Sequence, residues 1–414
     1  MSIRLAILLA VVASACAAAF AETPSPRLIL PVSVPRAGAA ALAVECVVPF
    51  GPPVPVSALA FSPDGQTLAV GGYQEVLLWD LAAAKLAKRI GTGQPGPVRA
   101  IAWLDEGRSL AVGSGVADPT GAVKILDLQT GQIAAALKEP AEAVHALAVS
   151  PDGQFLAAAG GDAKVYVWAL KDKKLAVALK DHTGPVLAAA FSPDGKLLAT
   201  AGADKTLVTW DVGTWTRANS FREAEALAGV AFGPDGSIAA ASGGPGEWAV
   251  RIRRKDDLKT SRPTYTGAAM PLGLAWAAKT NRLYVPCSDK TVKVYPSGSG
   301  TPTATLRGHA DWVYAVALSP DGARLASGSA DGTVRLWSTA DGRPQATLVQ
   351  IAPRTDQWLI LTPQGYLATS AAGSLEWRAE GLAAAPESLT ALFDSAESVQ
   401  KILAGKDVPP PAVK

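Results

Sequence analysis

The sequence predicts an all-β fold, a β-propeller whose ring is built from repeated four-stranded blades. Two observations predict it: a short turn phrase recurs along the chain, and its copies are evenly spaced. Ser-Pro-Asp-Gly stands at 62–65, 150–153, 192–195 and 319–322, Gly-Pro-Asp-Gly at 233–236, and weaker copies at 104–107, 277–280 and 362–365. The apolar residues just before the copies are 42, 46, 42, 41, 44, 42 and 43 residues apart. That period is typical of one propeller blade.

Each unit carries the same order of strand and turn signals. An alternating strand such as 56–61 runs into the Pro-Asp-Gly turn, where proline fixes φ and Asp-Gly permits a tight reversal. A second strand such as 68–71 follows, and a third strand ends in an aromatic position, as in Leu77-Leu-Trp79. A fourth strand such as 303–306 then leads into the next unit. The pattern indicates antiparallel blades.

The number of blades depends on how the two chain ends are used. Seven units are clear, and residues 357–377 supply three more strands at the right spacing. We therefore predict eight blades, with the segment 42–48 pairing with the eighth unit so that one blade uses both chain ends. Such closure removes exposed sheet edges. The alternative is a seven-bladed ring with a C-terminal hairpin packed outside it.

The repeats resemble those of the WD40 family. Arg307-Gly308-His309 with Leu336-Trp337 is the most typical stretch, and the resemblance covers roughly residues 41–380. It implies that partners dock on the narrower top face, which is formed by the first residues of each innermost strand and by the loops joining second and third strands. The C-terminal segment is also similar to that of bacterial exported WD40 proteins.

The WD40 resemblance further implies hydrogen-bonded tetrads of His, Ser or Thr, Asp and Trp. The matching positions are His309, Ser327, Asp331 and Trp337 in one unit and His182, Thr200, Asp204 and Trp210 in another. A His–Asp pair beside a hydroxyl also occurs in hydrolase triads. We expect each hydroxyl to be buried as a structural bridge instead of exposed as a nucleophile, and we predict no catalytic residue.

The N-terminal residues 1–21 predict a signal peptide. Arg4 supplies the positive start, an apolar run follows, and Ala19-Phe-Ala21 gives the small-x-small cleavage pattern. A rival cut before Cys16 would make the protein a lipoprotein, anchored to the envelope through that cysteine. The Pro- and Ala-rich residues 22–40 are interpreted as an extended lead-in to the propeller.

The C-terminal residues 381–414 predict a short helical tail with a proline-rich end. Asp394 or Ser395 is a suitable cap for one helix, and Gly405 is a suitable stop. Short apolar helices of this kind usually dock on their own domain, so we expect the tail to pack against the propeller.

Composition and motifs exclude several classes of function. With 38 basic and 36 acidic residues the net charge is +2, which gives no bulk attraction to nucleic acid or to an anionic membrane. No segment after the N-terminal run is long and apolar enough to span a bilayer. The chain has three cysteines and three histidines, without a haem motif or a zinc cluster. We predict no metal, no cofactor, and no disulfide between Cys46 and Cys287.

The candidate binding residues lie on the top face. The second position of each innermost strand reads Ser57, Arg99, His145, Leu187, Ala228, Leu272 and Tyr314, and Trp312 lies two residues before Tyr314. Arg99, His145, Trp312 and Tyr314 on a rim of small residues have the composition of a binding hot spot. The basic residues at 251 and 253–255 are instead interpreted as part of a solvated blade face.

These observations favour a non-catalytic interaction scaffold, exported to the periplasm or the extracellular space. It would bind a protein or peptide through Arg99, His145, Trp312 and Tyr314, and we expect it to be a monomer. The rival hypothesis is an enzyme or small-ligand binder that uses the central channel. That rival needs convergent carboxylates, histidines or a metal at the ring centre, where the sequence supplies His145 and mostly small or aliphatic residues. A structural envelope component that self-associates is a third possibility.

Overall fold

The computed structural model describes residues 27–411 except 37–38, 50–52, 119–121, 141, 245–246, 262–264, 268, 299, 380–389 and 391–392. This part of the chain forms antiparallel strands, two 3-10 turns at 105–107 and 372–374, and one α-helix. The first two strands, β1 (Arg27–Arg36) and β2 (Ala39–Pro49), pair with each other outside the ring. The predicted signal peptide and Cys16 lie outside the described residues.

Seven four-stranded blades follow, each built from four consecutive strands. Blades 1 to 3 are β3–β6 (Leu59–Phe61, Thr67–Gly71, Glu75–Asp80, Lys85–Gly91), β7–β10 (Val98–Leu104, Ser109–Ser114, Val123–Asp127, Ile133–Leu137) and β11–β14 (Val144–Val149, Phe155–Gly160, Val165–Ala169, Lys174–Leu179). Blades 4 and 5 are β15–β18 (Val186–Phe191, Leu197–Gly202, Thr206–Asp211, Thr216–Arg222) and β19–β22 (Leu227–Phe232, Ile238–Gly244, Glu247–Arg253, Tyr265–Gly267). Blades 6 and 7 are β23–β26 (Ala275–Ala277, Arg282–Pro286, Val292–Pro296, Ala304–Leu306) and β27–β30 (Val313–Leu318, Arg324–Ser329, Thr333–Ser338, Pro344–Gln350).

The all-β propeller prediction is confirmed, with seven blades, the count given as the alternative; the preferred count of eight is wrong. The strands β31 (Trp358–Leu361) and β32 (Leu367–Thr369) extend the sheet of blade 7 outward from β30 as a hairpin. The last strand, β33 (Glu376–Ala379), pairs with β2, with Cys46 opposite Trp377. The segment 42–48 therefore does meet the eighth unit, but in a separate sheet of order β1-β2-β33. The ring spans blades 1 to 7, and the lead-in contains the strand β1.

The Ser-Pro-Asp-Gly copies form the turns between the first and second strands of their blades. In blade 1 the Ser62 hydroxyl donates to Asp64 at 2.5 Å and accepts from the backbone N–H of Thr67 at 2.9 Å. Gly65 has φ of +69°, a left-handed conformation that glycine adopts without a Cβ penalty. The same serine-to-aspartate bond recurs at 150–152, 192–194 and 319–321. This turn is therefore dictated by four consecutive residues, independently of the ring.

The ring closes between blade 7 and blade 1 without a shared strand among the described residues. The backbone N–H of Val56 donates to Ser329 O at 2.9 Å. Gly328 lies so near that a Cβ on it would meet Val56 Cγ1 at 2.5 Å and Val56 O at 2.9 Å. The same glycine–valine contact joins Gly71 to Val98 between blades 1 and 2. The closing junction thus repeats a contact that joins consecutive blades.

We expect Gly328→Ala to weaken ring closure. Because the added methyl would meet backbone as well as side-chain atoms of Val56, the free energy of unfolding should fall by about 1–3 kcal/mol, as for other overpacked cores. Gly91→Ala is the matched control, because a Cβ there meets nothing within 4 Å. Urea unfolding followed by circular dichroism compares the two, and an equal effect of both substitutions would contradict a closing role for Gly328.

The helix α1 (Ala396–Leu403) lies across the closing junction. Its cap is Ser395, whose hydroxyl accepts from Ser398 N at 3.2 Å. Val399 and Leu403 are buried in one apolar cluster with residues of blades 1 and 7, among them Trp79, Leu81 and Leu348. Gln400 Nε2 donates to Ala83 O of blade 1 at 3.2 Å. The tail therefore binds the first and last blades to each other.

Two general properties of the described residues bear on function. The described part contains no helix that is long and apolar enough to cross a membrane. Cys46 and Cys287 are both free and buried. Burial raises the pKa of Cys46 to about 12, and burial together with the charge of Asp289 raises that of Cys287 to about 12. Both thiols therefore stay protonated at neutral pH and are poor nucleophiles.

Candidate functional site

The top-face positions are set by strand alternation. Val98, Val144 and Val313 begin the innermost strands β7, β11 and β27, and each is at most 1% exposed. Successive side chains of a strand point to opposite faces. The next residue in each strand, Arg99, His145 and Tyr314, is accordingly half-buried and directed away from the blade core.

Arg99 and His145 meet across the junction of blades 2 and 3. Arg99 Nη1 lies 3.4 Å from His145 Nδ1. Arginine can only donate, so Nδ1 is the acceptor and the imidazole is neutral. Burial, helped by the Arg99 charge, lowers the pKa of His145 to about 4. The pair therefore presents one positive charge, on Arg99, at neutral pH.

Trp312 and Tyr314 form the second pair, on blade 7. Their rings meet edge to face, with centroids 6.5 Å apart and planes at 72°. The backbone fixes Trp312, because its N–H donates to Asp311 Oδ1 at 2.8 Å and its carbonyl accepts from Ala330 N at 2.9 Å. In ring order, blade 1 separates this pair from Arg99 and His145. The structure therefore divides the four predicted residues into two pairs.

A third pair, missed by the sequence analysis, lies at the junction of blades 7 and 1. The Arg354 guanidinium is 5.8 Å from the centre of the Tyr73 ring and also donates to Gln74 Oε1. Tyr73 belongs to the loop between the second and third strands of blade 1, and Arg354 to the loop between β30 and β31. The sequence analysis did not single out Arg354, because it looked for rim residues only within and just before the innermost strands and not in the connection at 351–357.

The tetrad positions in blade 7 form a continuous hydrogen-bonded chain. Trp337 Nε1 donates to Ser327 Oγ at 2.8 Å, and Ser327 Oγ is 2.8 Å from His309 Nε2. His309 Nδ1 is 3.2 Å from Asp331 Oδ2, which also accepts from Ala310 N at 2.7 Å. Because the carboxylate only accepts, Nδ1 carries a proton, and Ser327 Oγ links Trp337 to Nε2 of the ring.

Blade 4 has the same chain of contacts. Trp210 Nε1 donates to Thr200 Oγ1 at 2.9 Å, His182 Nε2 is 2.9 Å from that oxygen, and His182 Nδ1 is 3.0 Å from Asp204. The residues Thr200 and Ser327 are both fully buried, with exposed fractions of 0%. A hydroxyl out of reach of solvent and substrate cannot act as a nucleophile. Both sets are therefore structural bridges between strands and loops.

Asp331 is the acid of the blade 7 chain. Burial would raise the pKa of its carboxyl, but the hydrogen bond and charge of His309 oppose this, helped by bonds from Thr333 and Ala310 N. These contacts hold the pKa of Asp331 at about 2. The carboxylate is thus ionised throughout the physiological range, as a fixed acceptor requires.

The basic residues at 251 and 253–255, in and just after β21, are not all solvated as predicted. Arg253 is buried, and its guanidinium contacts Glu223 at 2.5 Å, Leu258 O at 2.6 Å and the Phe221 ring at 3.8 Å. Arg251 Nη1 lies 3.6 Å from the same glutamate. The solvated-face interpretation is wrong for Arg253, because sequence distance concealed the carboxylate thirty residues earlier.

The channel hypothesis requires convergent ligands or catalytic groups. Within the described ranges, no three His, Cys, Asp or Glu side chains are grouped so that they could hold a metal ion. Of the three histidines, His182 and His309 are bound in the two tetrads, and His145 contacts Arg99. The arginine and aromatic groups described above, half-buried apart from the exposed Arg354, therefore remain the candidate site.

Comparison with known families agrees with this geometry. The profile described as WD domain, G-beta repeat matches residues 45–80, 131–169, 173–211 and 300–338. The last three matches each begin at the fourth strand of one blade and end with the third strand of the next, so the sequence repeat is offset from the blade by one strand. The first match begins in β2, which belongs to the separate sheet outside the ring.

Similar curated proteins share short segments with this chain. A nuclear distribution protein PAC1 from Arthroderma otae is 38% identical over 78 residues, 19% of this chain and 17% of that protein. A guanine nucleotide-binding protein subunit beta from Schizosaccharomyces pombe is 33% identical over 92 residues, 22% of this chain and 30% of that protein. A WD repeat-containing protein 86 from Homo sapiens is 49% identical over 51 residues, 12% of this chain and 14% of that protein. The chain thus spans less than a third of the length of each of these relatives.

Proposed function

This chain is a WD40-repeat protein with a seven-bladed propeller, and from that premise we propose that it is a non-catalytic scaffold that binds a protein or peptide partner through its top face. WD40 propellers in general act as protein-interaction scaffolds. The observation that carries the proposal is the rim itself, where Arg99, Arg354, Trp312, Tyr314 and Tyr73 stand among small residues. Arginine and aromatic residues are the types enriched in interface hot spots.

The way these side chains are held also supports a binding role. Trp312 is fixed by two backbone hydrogen bonds and an aromatic contact, and Arg354 is held by Tyr73 and Gln74. Side chains that are already ordered lose little conformational entropy when a partner binds. The names of the relatives include a subunit of a G protein, which by that name works within a complex.

We further propose that the scaffold works in the cell envelope of a bacterium, as a monomer exported to the periplasm or the extracellular space. The N-terminal sequence supports export, because residues 1–21 have the charge, apolar run and cleavage pattern of a signal peptide. Cleavage before Cys16 would instead give an envelope lipoprotein. Mass spectrometry of the mature N-terminus distinguishes the two, because a lipidated Cys16 would begin the chain in the second case.

The binding proposal is tested by affinity capture from an envelope extract. The double variant Arg99→Ala with Trp312→Ala should retain at most about one tenth of the amount of a specific partner that the wild type retains. A loss of this size is expected when hot-spot residues are removed. The matched control is Trp215→Ala with Arg343→Ala, which removes the same residue types from loops between third and fourth strands, on the opposite face. All proteins should first have the same melting temperature.

Three outcomes are informative. Loss of the partner in the top-face variant alone supports the proposal. Equal retention by wild type and both variants would overturn the top-face assignment and transfer binding to the blade sides or the tail. If the wild type captures no protein, the scaffold proposal fails and the channel-ligand and self-assembly hypotheses become preferred.

A further inference from the structure

Two arginines at the junction of blades 6 and 7 have no ion-pair partner among the described residues. Arg335 lies on β29 and is half-buried, and its buried Nε has no hydrogen-bond partner in the described part of the chain. Its guanidinium packs on the backbone of Gly308, where a Cβ would come within 2.6 Å of Nη1. Arg307, the residue just before that glycine, is exposed. The two charges therefore belong to one rim segment.

The contact with Gly308 also places Arg335 near the aromatic pair. The loop that follows β26 runs from Arg307 through Gly308 to Trp312, and β27 then carries Tyr314. Along this loop, Arg307 and the Arg335 contact at Gly308 come first, and the two aromatic residues come last.

The carboxylates of this region are committed to other groups. Asp331 accepts from Ala310 N and Thr333 and contacts His309. Asp289 forms an ion pair with Lys293 at 2.8 Å, and Asp311 accepts from the backbone of Trp312. None of them contacts Arg307 or Arg335. Burial lowers the pKa of Arg335 and the charge of Asp331 opposes this only in part, so a further carboxylate beside the guanidinium would be favourable.

We propose that the junction of blades 6 and 7 is a carboxylate-binding subsite, which recognises an Asp or Glu side chain of an acidic partner segment. This inference rests on the proposed scaffold function and names the chemistry of its partner. Arginine presents a planar fork of donors that matches a carboxylate with two hydrogen bonds. The acidic residue binds Arg335 and Arg307, and the adjoining part of the segment packs on Trp312 and Tyr314.

The test is selection from a random peptide library on the immobilised protein. Peptides selected by the wild type should be enriched in Asp and Glu. Those selected by Arg307→Glu should lose that enrichment or favour Lys and Arg instead. Arg343→Glu is the matched control, because Arg343 is also exposed but lies in a third-to-fourth-strand loop on the opposite face. No acidic enrichment on the wild type, or an equal change in Arg343→Glu, would overturn the inference.

A selected acidic peptide is then made with a fluorophore and titrated by anisotropy. Arg307→Glu should weaken binding about tenfold, and exchange of the peptide's acidic residue for Lys should restore it. Arg335→Met should weaken binding as well, whereas Arg335→Lys, which keeps the charge, should bind more tightly than Arg335→Met. Equal affinities of the Met and Lys variants would mean that Arg335 is only a packing residue.

Capture of a partner from the envelope extract distinguishes failure of this inference from failure of the scaffold proposal. A partner that is lost with Arg99→Ala and Trp312→Ala but retained by Arg307→Glu would uphold the scaffold and overturn the carboxylate subsite. Acidic peptides that depend on Arg307, together with a partner indifferent to the top-face double variant, would uphold the subsite and overturn the proposed binding face.

Discussion

Replacement of Glu223 by alanine is expected to lower the free energy of unfolding by about 3–5 kcal/mol, the range found when one member of a buried ion pair is removed. Glu223 accepts from Arg253 Nε at 2.7 Å, and the side chains of both residues are at most 5% exposed. Without that carboxylate the Arg253 guanidinium keeps only the bond to Leu258 O and the stack on Phe221. Its charge would then be buried without compensation.

The control for this prediction is Glu225→Ala, two residues along the same loop. Glu225 forms an ion pair with Lys205 at 3.5 Å, and both side chains are more than a third exposed. Exposed ion pairs contribute little, so stability should change by less than about 1 kcal/mol. Urea unfolding of the two variants measures the difference. If Glu223→Ala lowered the free energy of unfolding by less than about 1 kcal/mol, the Arg253 side chain would have to be solvent-exposed in that variant.

The second large effect is expected at Asp331, the acid of the blade 7 tetrad. Asp331→Ala should cost about 3–5 kcal/mol, because it removes the acceptor of His309, Thr333 and the Ala310 backbone from a buried site. Asp331→Asn keeps the shape and removes only the charge, so it isolates the electrostatic part. Both changes also remove the Asp331 charge that partly offsets the burial of Arg335.

The pKa of Asp331 fixes the pH range in which this contribution disappears. A pKa lowered in the folded state from 3.8 to about 2 means that the unfolded chain takes up the proton first as the pH falls. The stabilisation, about 2 kcal/mol from that difference, is complete above about pH 4 and is lost as the pH falls from 3.8 toward 2. Unfolding free energies of the wild type and Asp331→Asn should therefore converge in acid.

The pH prediction is checked by urea unfolding between neutral pH and acid, with Asp172→Ala as the control. Asp172 is exposed and contacts only the exposed Lys174 within its own turn, so its variant should follow the wild-type curve. If the difference in unfolding free energy between the wild type and Asp331→Asn were the same in acid as at neutral pH, the ionisation of Asp331 would contribute no stability.

The ring size could not be read from spacing, as the linkers before each innermost strand illustrate. Residues 92–97, 138–143 and 180–185 join fourth strands to the next innermost strand, and 351–357 joins β30 to β31. These connections have nearly the same length, yet β31 pairs with β30 as a hairpin instead of returning to the centre. The local sequence is therefore compatible with either continuation, a new innermost strand or a strand that pairs with β30.

The chain by itself determined the features that depend on short-range chemistry. The Ser62-Pro-Asp-Gly65 turn and its copies form wherever the four residues occur, because a serine, an aspartate and a glycine satisfy one another's backbone requirements. Strand alternation set the outward direction of Arg99, His145 and Tyr314 in the same way. The tetrad positions were located through the resemblance of the repeats to the WD40 family.

The tertiary structure decided what depends on residues far apart in the chain. Seven blades close because Val56 meets Gly328 as Val98 meets Gly71, so β2 and β33 are left to pair outside the ring. The contact of Arg354 with Tyr73 follows from that closure, because the two residues belong to the last and first blades. The ion pair of Arg253 with Glu223 follows from the packing of neighbouring blades. Closure is a collective property of blade angles and interface shape, and such a property has no local signature in the order of residues.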